Sequence, residues 1–192
     1  EVSGAGYEPR GRFSYNASVM EPPDTLKLLL QAATLASDAD VVYNDLDKRW
    51  QIKGDPTEGA LVVAAAKAGL KKTDLESRFP RVKEIPFTSE TKRMTTLHDA
   101  PTGVVAYAKG APEMLLNSCA LQLTESGETL LDAAGKEKFL EAARRMAMEA
   151  LRVLAIAYKP GAAIENAERE MTFLGLVGMI DPPRPEAKAA IQ

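Results

Sequence analysis

Apolar and polar positions alternate along this chain with two periods, and each period marks a different kind of element. From Asp24 to about Ala36 the spacing is helical, with Leu26, Leu29, Leu30, Ala33 and Leu35 apolar. Val41-Val42-Tyr43 and Trp50-Gln51-Ile52 flank a polar stretch, Asn44–Arg49, as the two arms of a hairpin do. Asp55-Pro56 then opens a second helix running to about Ala68. Asp is a good N-cap, Pro fits the first turn, Glu58 stands where a capping box wants a carboxylate, and Gly69 closes the helix. Strand-like runs follow at Val82–Phe87, Met94–His98 and Val104–Lys109, the last two joined by the tight loop Asp99–Gly103. Ala111–Asn117 reads as a short helix, Ser126-Gly127-Glu128 as a turn, and Asp132 to about Leu151 as the longest helix. Arg152–Tyr158 and Thr172–Ile180 are the last strands, and residues 1–7 carry strand-like alternation. Most neighbouring strands are joined by short turns. The expected fold class is therefore α+β, a mostly antiparallel twisted sheet flanked by helices. No internal repeat or low-complexity tract interrupts the pattern.

Composition narrows the chemistry. The 192 residues are 45% hydrophobic and 27% charged, enough apolar mass for one core. With 24 Lys+Arg against 27 Asp+Glu the net charge is −3, which is not the footprint of nonspecific nucleic-acid binding. One cysteine, Cys119, excludes an intrachain disulfide and a Cys-rich zinc site; it reads as a small buried hydrophobe. One histidine, His98, argues against a His-based metal centre or triad and reads as surface or strand filler. The longest apolar run, Phe173–Ile180, is well short of the roughly 20 residues a bilayer-spanning helix needs. Phosphate-loop, dinucleotide, nucleophile-elbow and zinc-protease signatures are missing, and Gly4-Ala5-Gly6 is read as a turn. No catalytic and no metal-binding residue is assigned, and the scarcity points to binding rather than bond-breaking. The two ends read as cut from a longer protein, with residues 1–180 the domain and 181–192 the start of a return segment.

Three stretches remain: Lys53-Gly54-Asp55-Pro56-Thr57-Glu58-Gly59-Ala60-Leu61, Pro86-Phe87-Thr88-Ser89-Glu90-Thr91-Lys92-Arg93-Met94-Thr95, and Lys109-Gly110-Ala111-Pro112-Glu113. Downstream lie Leu151-Arg152-Val153-Leu154-Ala155 and Asp181-Pro182-Pro183-Arg184. Taken in this order, they closely resemble the nucleotide-binding (N) domain of P-type cation-transporting ATPases, in the calcium-pump subgroup. The resemblance runs from Gly4 to Arg184. It implies a domain inserted into a phosphorylation domain, whose phosphorylated aspartate and magnesium-binding aspartates lie outside this chain. It also implies a cytoplasmic location on a membrane-embedded transporter, with Asp181–Arg184 leading into the hinge.

The residues carry both an ordinary reading and one implied by the resemblance. Phe87 shares a strand face with Ile85, as a core aromatic does; the resemblance makes it the ring that stacks on adenine. Lys109 falls on the Val105, Tyr107 face, either snorkelling at an edge or lining a pocket; the resemblance puts it at the bottom of the adenosine site, with Gly110 beside it. Lys92 is a loop lysine that the family uses near the ribose and phosphates. Arg93 is either a surface charge or a contribution to the same positive field. Ser89 stands where some animal calcium pumps carry an arginine, leaving that phosphate contact absent or supplied by Arg93. Glu58 serves its own helix cap or, by resemblance, accepts from the adenine amino group. Arg152 shares a face with Leu154 and Ile156; the resemblance makes Arg152 a phosphate fork and Leu154 an apolar wall.

The implied cofactor is ATP, with Mg2+ engaged through the full-length protein. The implied partners are ATP or ADP and the phosphorylation and actuator domains of the same parent chain, with the isolated domain a monomer and no role for nucleic acid. Affinity for ATP should be weak, roughly 0.1 to several mM, since one stacked base and a few exposed contacts supply only about 4–5 kcal/mol. Two rivals are weighed against this. A self-contained hydrolase or kinase would need a nucleophile or carboxylate cluster that the sequence lacks. An interaction domain with a vestigial nucleotide site would be expected to have lost Phe87, Lys92 or Lys109, and all three are present.

Overall fold

The structure, a computed structural model, describes residues 1–4 and 6–180; the Asp181–Arg184 stretch and the expected return segment lie outside them. The strands are β1 (Phe13–Tyr15), β2 (Ser18–Met20), β3 (Asp40–Asn44), β4 (Arg49–Lys53), β5 (Arg81–Ile85), β6 (Arg93–His98), β7 (Val105–Gly110), β8 (Cys119–Thr124), β9 (Gly127–Leu130), β10 (Leu151–Pro160) and β11 (Met171–Ile180). The helices are α1 (Asp24–Leu35), α2 (Pro56–Lys67), α3 (Lys72–Arg78), α4 (Pro112–Asn117) and α5 (Ala133–Met148). Seven strands form one sheet in the order β5-β6-β7-β10-β11-β8-β9, and β1-β2 and β3-β4 are separate hairpins. Every pairing is antiparallel except β8 with β11, so the sheet is largely antiparallel and the class is α+β, as expected.

The two faces of the sheet are covered by different helices, for a reason visible in the strands. Successive side chains point to opposite faces. In β7, Val105 and Tyr107 turn toward α1, α2 and α3 and pack with Leu29, Leu30, Leu35, Leu61, Leu75 and Ile156. Ala108, with Ala155 and Ala157 of β10, turns the other way, toward Leu115 and Leu116 of α4 and Phe139 of α5. The alanines let these helices sit close. Phe139 meets Phe173 at 4.6 Å between ring centroids, and burial of a side chain such as Phe173 contributes about 1.5–3 kcal/mol.

Local signals set most boundaries. Asp55 caps α2, accepting from Thr57 N at 2.8 Å and Glu58 N at 3.2 Å. Gly69, at φ +79°, ends α2: its N–H bonds back to Ala66 O and that of Leu70 to Ala65 O, the left-handed stop that glycine takes most easily. Four expectations need correction. Among the described residues of 1–7 there is no strand beyond the single bridge Val2–Phe13. The strand expected to reach Phe87 ends at Ile85, because Pro86 has no N–H to continue the ladder. His98 is interior, 1% exposed, its Nδ1 donating to Phe79 O at 2.8 Å and its Nε2 lying 2.9 Å from the Thr96 hydroxyl. The Ser126–Glu128 turn is real, but its flanking strands β8 and β9 are additions to the sequence reading, as are β1, β2 and α3. Cys119 is buried as expected, its thiol pushed up to about 12 by burial.

Candidate functional site

The site is built on the helix-covered face carrying Tyr107, at the end of the sheet where β5 turns into β6. In the register, Met94 of β6 lies opposite Lys109 of β7, and Ile156 of β10 lies opposite Lys109 on the other side. Directly paired residues share a face. Lys109 is therefore flanked by Met94 and Ile156, and Leu154 and Arg152 continue the same face along β10 by twos.

Against this face stands the first turn of α2. Lys109 is 8% exposed, and its ammonium donates to Ala36 O, to Glu58 Oε1 at 2.7 Å and to Ser37 Oγ at 3.3 Å. Three donors meet three oxygen acceptors, as burial of an ammonium requires. Burial still wins the balance and lowers the lysine pKa, with the Glu58 contact opposing. Glu58 does not bond back to its own cap; its Oε2 accepts instead from the backbone N–H groups of Asp38 at 2.8 Å and Ala39 at 3.0 Å. The capping-box role is corrected: the carboxylate reaches across to the end of α1, where two otherwise unpaired amides offer more than a cap that Asp55 already supplies.

The turn after α1 draws in two further cations. Arg81 binds Leu35 O and Ser37 O through Nη2, both at 3.1 Å, and Asp38 at 2.6 Å. Lys72 reaches Ala39 O at 2.9 Å and Asp40 at 3.1 Å. Thus Lys72, Arg81 and Lys109 converge on the carbonyl-rich end of α1, where the helix dipole favours positive charge.

One residue before Glu58, Thr57 takes a hydrogen bond from Arg152 Nη1 at 2.7 Å. Burial would raise the Asp55 carboxyl pKa, but the Glu58 and Thr57 N–H groups, the Thr57 hydroxyl and the nearby Arg152 charge hold it below its ordinary value. Thr57 was not singled out in the sequence, where the Asp-Pro-Thr-Glu run reads only as a helix start. Ser37 and Asp38 went unnoticed for the same reason: their roles arise from a fold that brings distant segments together.

Phe87, Ser89 and Lys92 occupy the β5–β6 loop. Phe87 is 60% exposed. Thr88 organises the turn, its carbonyl accepting from Lys92 N at 2.8 Å and its hydroxyl from Thr91 N at 3.0 Å. Ser89 lies exposed in that turn. Lys92 adopts φ +46°, and its carbonyl accepts from Ala111 N at 2.9 Å. Gly110 makes this closeness possible, since a Cβ there would sit 2.6 Å from both Lys92 O and Arg93 Cβ. Leu154 is half-buried against the α1 core. Arg93 is corrected. It faces the opposite side of the sheet from Met94, paired to Glu168 at 2.5 Å and to Ser118, with Thr95 also donating to Glu168 at 2.8 Å. Its fork is occupied by protein, so it adds little to a field around Lys92.

Among the described residues no group of acidic, cysteine or histidine side chains could hold a metal, and no helix is long and apolar enough to cross a membrane. What the arrangement offers is an exposed ring, Phe87, a half-buried leucine, Leu154, an ion-paired lysine, Lys109, and two more cations, Lys92 and Arg152.

Comparison with known proteins adds a lineage. A family described as P-type ATPase, cytoplasmic domain N, matches residues 25–186. The cation-transporting ATPase pma1 of Synechocystis sp. is 41% identical across all of this chain, which covers 22% of that protein. A calcium-transporting ATPase of Bacillus subtilis is 37% identical, again across the whole chain and 22% of its own length. A sodium/potassium exporting P-type ATPase, cta3, of Schizosaccharomyces pombe is 35% identical over 90% of the chain and 17% of its length. The chain thus spans about a fifth of the relatives it matches.

Proposed function

Because the chain belongs to the P-type ATPase cytoplasmic domain N family, we propose that it binds ATP by the adenosine end and presents the phosphates to a separate phosphorylation domain of its parent protein. In this reading Phe87 stacks on adenine, Leu154 walls the nucleoside, and Glu58 and Lys109 form the polar floor. Lys92 and Arg152 attract the phosphate tail, Gly110 admits close approach, and Ser89 borders the entry.

The observation that carries the proposal is the first turn of α2. Its adjacent residues Thr57 and Glu58 hold two of the cations that the sequence points to, Arg152 at 2.7 Å and Lys109 at 2.7 Å. The exposure of Phe87 supports it from the other side: a phenyl ring standing 60% in solvent on a polar loop is an open platform, and base stacking on such a ring is worth about 1–3 kcal/mol. Phosphoryl transfer depends mainly on positioning and charge neutralisation, so a domain that only holds the nucleotide can serve it through hinge closure. Mg2+ would arrive with the nucleotide and act at the phosphorylation domain. The parent is proposed to be a membrane-embedded cation transporter, with calcium the cargo that the sequence resemblance favours.

The test is a titration of the 192-residue chain with ATP and AMP. Both should bind at roughly 0.1 to several mM and within a few-fold of each other, and Phe87→Ala should weaken both about tenfold without unfolding the chain. A thousandfold preference for ATP would contradict a projecting tail, and unchanged affinity in folded Phe87→Ala would remove the stacking role.

A further inference from the structure

Lys92 has a carboxylate beside it that the adenosine reading does not use. Glu113, in the first turn of α4, lies with Oε1 4.0 Å from Lys92 Nζ. The two side chains are 57% and 56% exposed, so this is a water-facing pair and not a packing contact. Both backbones are tied in place. Lys92 N donates to Thr88 O, and Lys92 O accepts from Ala111 N, the residue that caps α4 two positions before Glu113. The carboxylate therefore springs from a backbone anchored beside Lys92.

Resting on the adenosine reading of this site, we propose that Glu113 is a specificity residue that discriminates among nucleotides by phosphate charge, opposing the tail in proportion to its length and so levelling ATP, ADP and AMP. A phosphate oxygen at about 3 Å from the Lys92 ammonium comes within about 7 Å of Glu113 Oε1. At that range, in water and at physiological salt, each unit of phosphate charge weakens binding by a factor of about 1.5. Three or so charges in reach cost ATP about threefold in affinity, and a shorter tail costs ADP about twofold. Adenosine, without charge, feels nothing. The sign is opposite to that of Lys92, and the pair acts as a trimmed attractor: strong enough to orient a tail, too weak to hold it.

The experiment compares the unaltered chain with Glu113→Gln across adenosine, AMP, ADP and ATP, without metal, followed by NMR titration. Glu113→Gln should tighten ATP about threefold and ADP about twofold while leaving adenosine unchanged, and the gain should fade in about 1 M salt, where screening reaches only about 3 Å. Glu113→Asp, which keeps the charge, and Glu137→Gln, on the exposed face of α5 against Arg144, should both retain the original ladder. Binding of all four ligands with no change in ATP affinity overturns the proposal alone. Equal tightening of ATP and adenosine also overturns it, since a contact and not a charge would then be at work. Failure of the unaltered chain to bind any of the four overturns the adenosine reading, and this proposal with it.

Discussion

Replacing Glu58 with glutamine isolates the charge at the centre of the site. The amide keeps the size of the carboxylate and an oxygen to accept from Asp38 N and Ala39 N, which lie 2.8 and 3.0 Å from Glu58 Oε2. What disappears is the anion facing the Lys109 ammonium at 2.7 Å. Both side chains are largely out of water, 9% exposed for Lys109 and 15% for Glu58, so solvent cannot step in as it would at the surface. Breaking a buried pair by removing one partner costs about 3–5 kcal/mol, and the surviving Ala36 and Ser37 acceptors bring the figure here to about 2–4 kcal/mol. For a domain of this size, each kcal/mol lowers the melting temperature by about 2–4 °C, so Glu58→Gln should melt about 4–16 °C below the unaltered chain. Adding Lys109→Met should recover part of that loss, with a coupling of about 1–3 kcal/mol in the double-mutant cycle, because the stranded ammonium is then gone. Differential scanning calorimetry on the four proteins reads both numbers. A Glu58→Gln protein melting within about 1 °C of the original, or strictly additive losses, would refute the claim that this carboxylate neutralises Lys109.

Two further outcomes are expected. Gly110→Ala places a methyl 2.6 Å from Lys92 O and from Arg93 Cβ, atoms of backbone or near it that cannot swing aside, and should cost about 1–3 kcal/mol in urea denaturation; a neutral result would mean that the β5–β6 loop is free to move away. His98 is held neutral by burial, so its folded pKa lies below the ordinary 6.5, only partly offset by the bond to Phe79 O. The unfolded chain therefore takes up the proton first as pH falls, and the stability due to His98 is full above about pH 6.5 and declines below it. Urea midpoints between about pH 7.5 and 5.5 should fall with acid, and fall less in His98→Asn; an equal slope in both proteins would contradict the burial argument.

Much of the fold was legible because its signals are local. Asp55, Pro56 and Gly69 each act within a turn of α2, and the alternating runs of β6, β7 and β10 announce themselves in a few residues. The strands that escaped notice, β8 and β9, have half-exposed patterns that read like a polar excursion around a turn. The short α3 lacks a side-chain cap. At the site, the residue types were legible but their employment was not. Glu58 looked like half of a capping box because the rival donors, Asp38 N and Ala39 N, are 20 and 19 positions away in sequence. Arg93 and Lys92 are neighbours and looked alike, yet alternation turned one toward Glu168, 75 residues on, and left the other in solvent. His98 looked dispensable because a lone histidine in a strand carries no sign of the carbonyl waiting for it.

The consecutive grips of Thr57 on Arg152 and of Glu58 on Lys109 have a mechanical consequence. Neighbouring residues on a helix are only about 1.5 Å apart along its axis, so they cannot be displaced separately. Any shift of α2 must drag Arg152 and Lys109 at once, so a pull on either cation is felt by the other through a single stiff lever. Arg152 and Lys109 are thereby geared together through α2 without passing through the sheet.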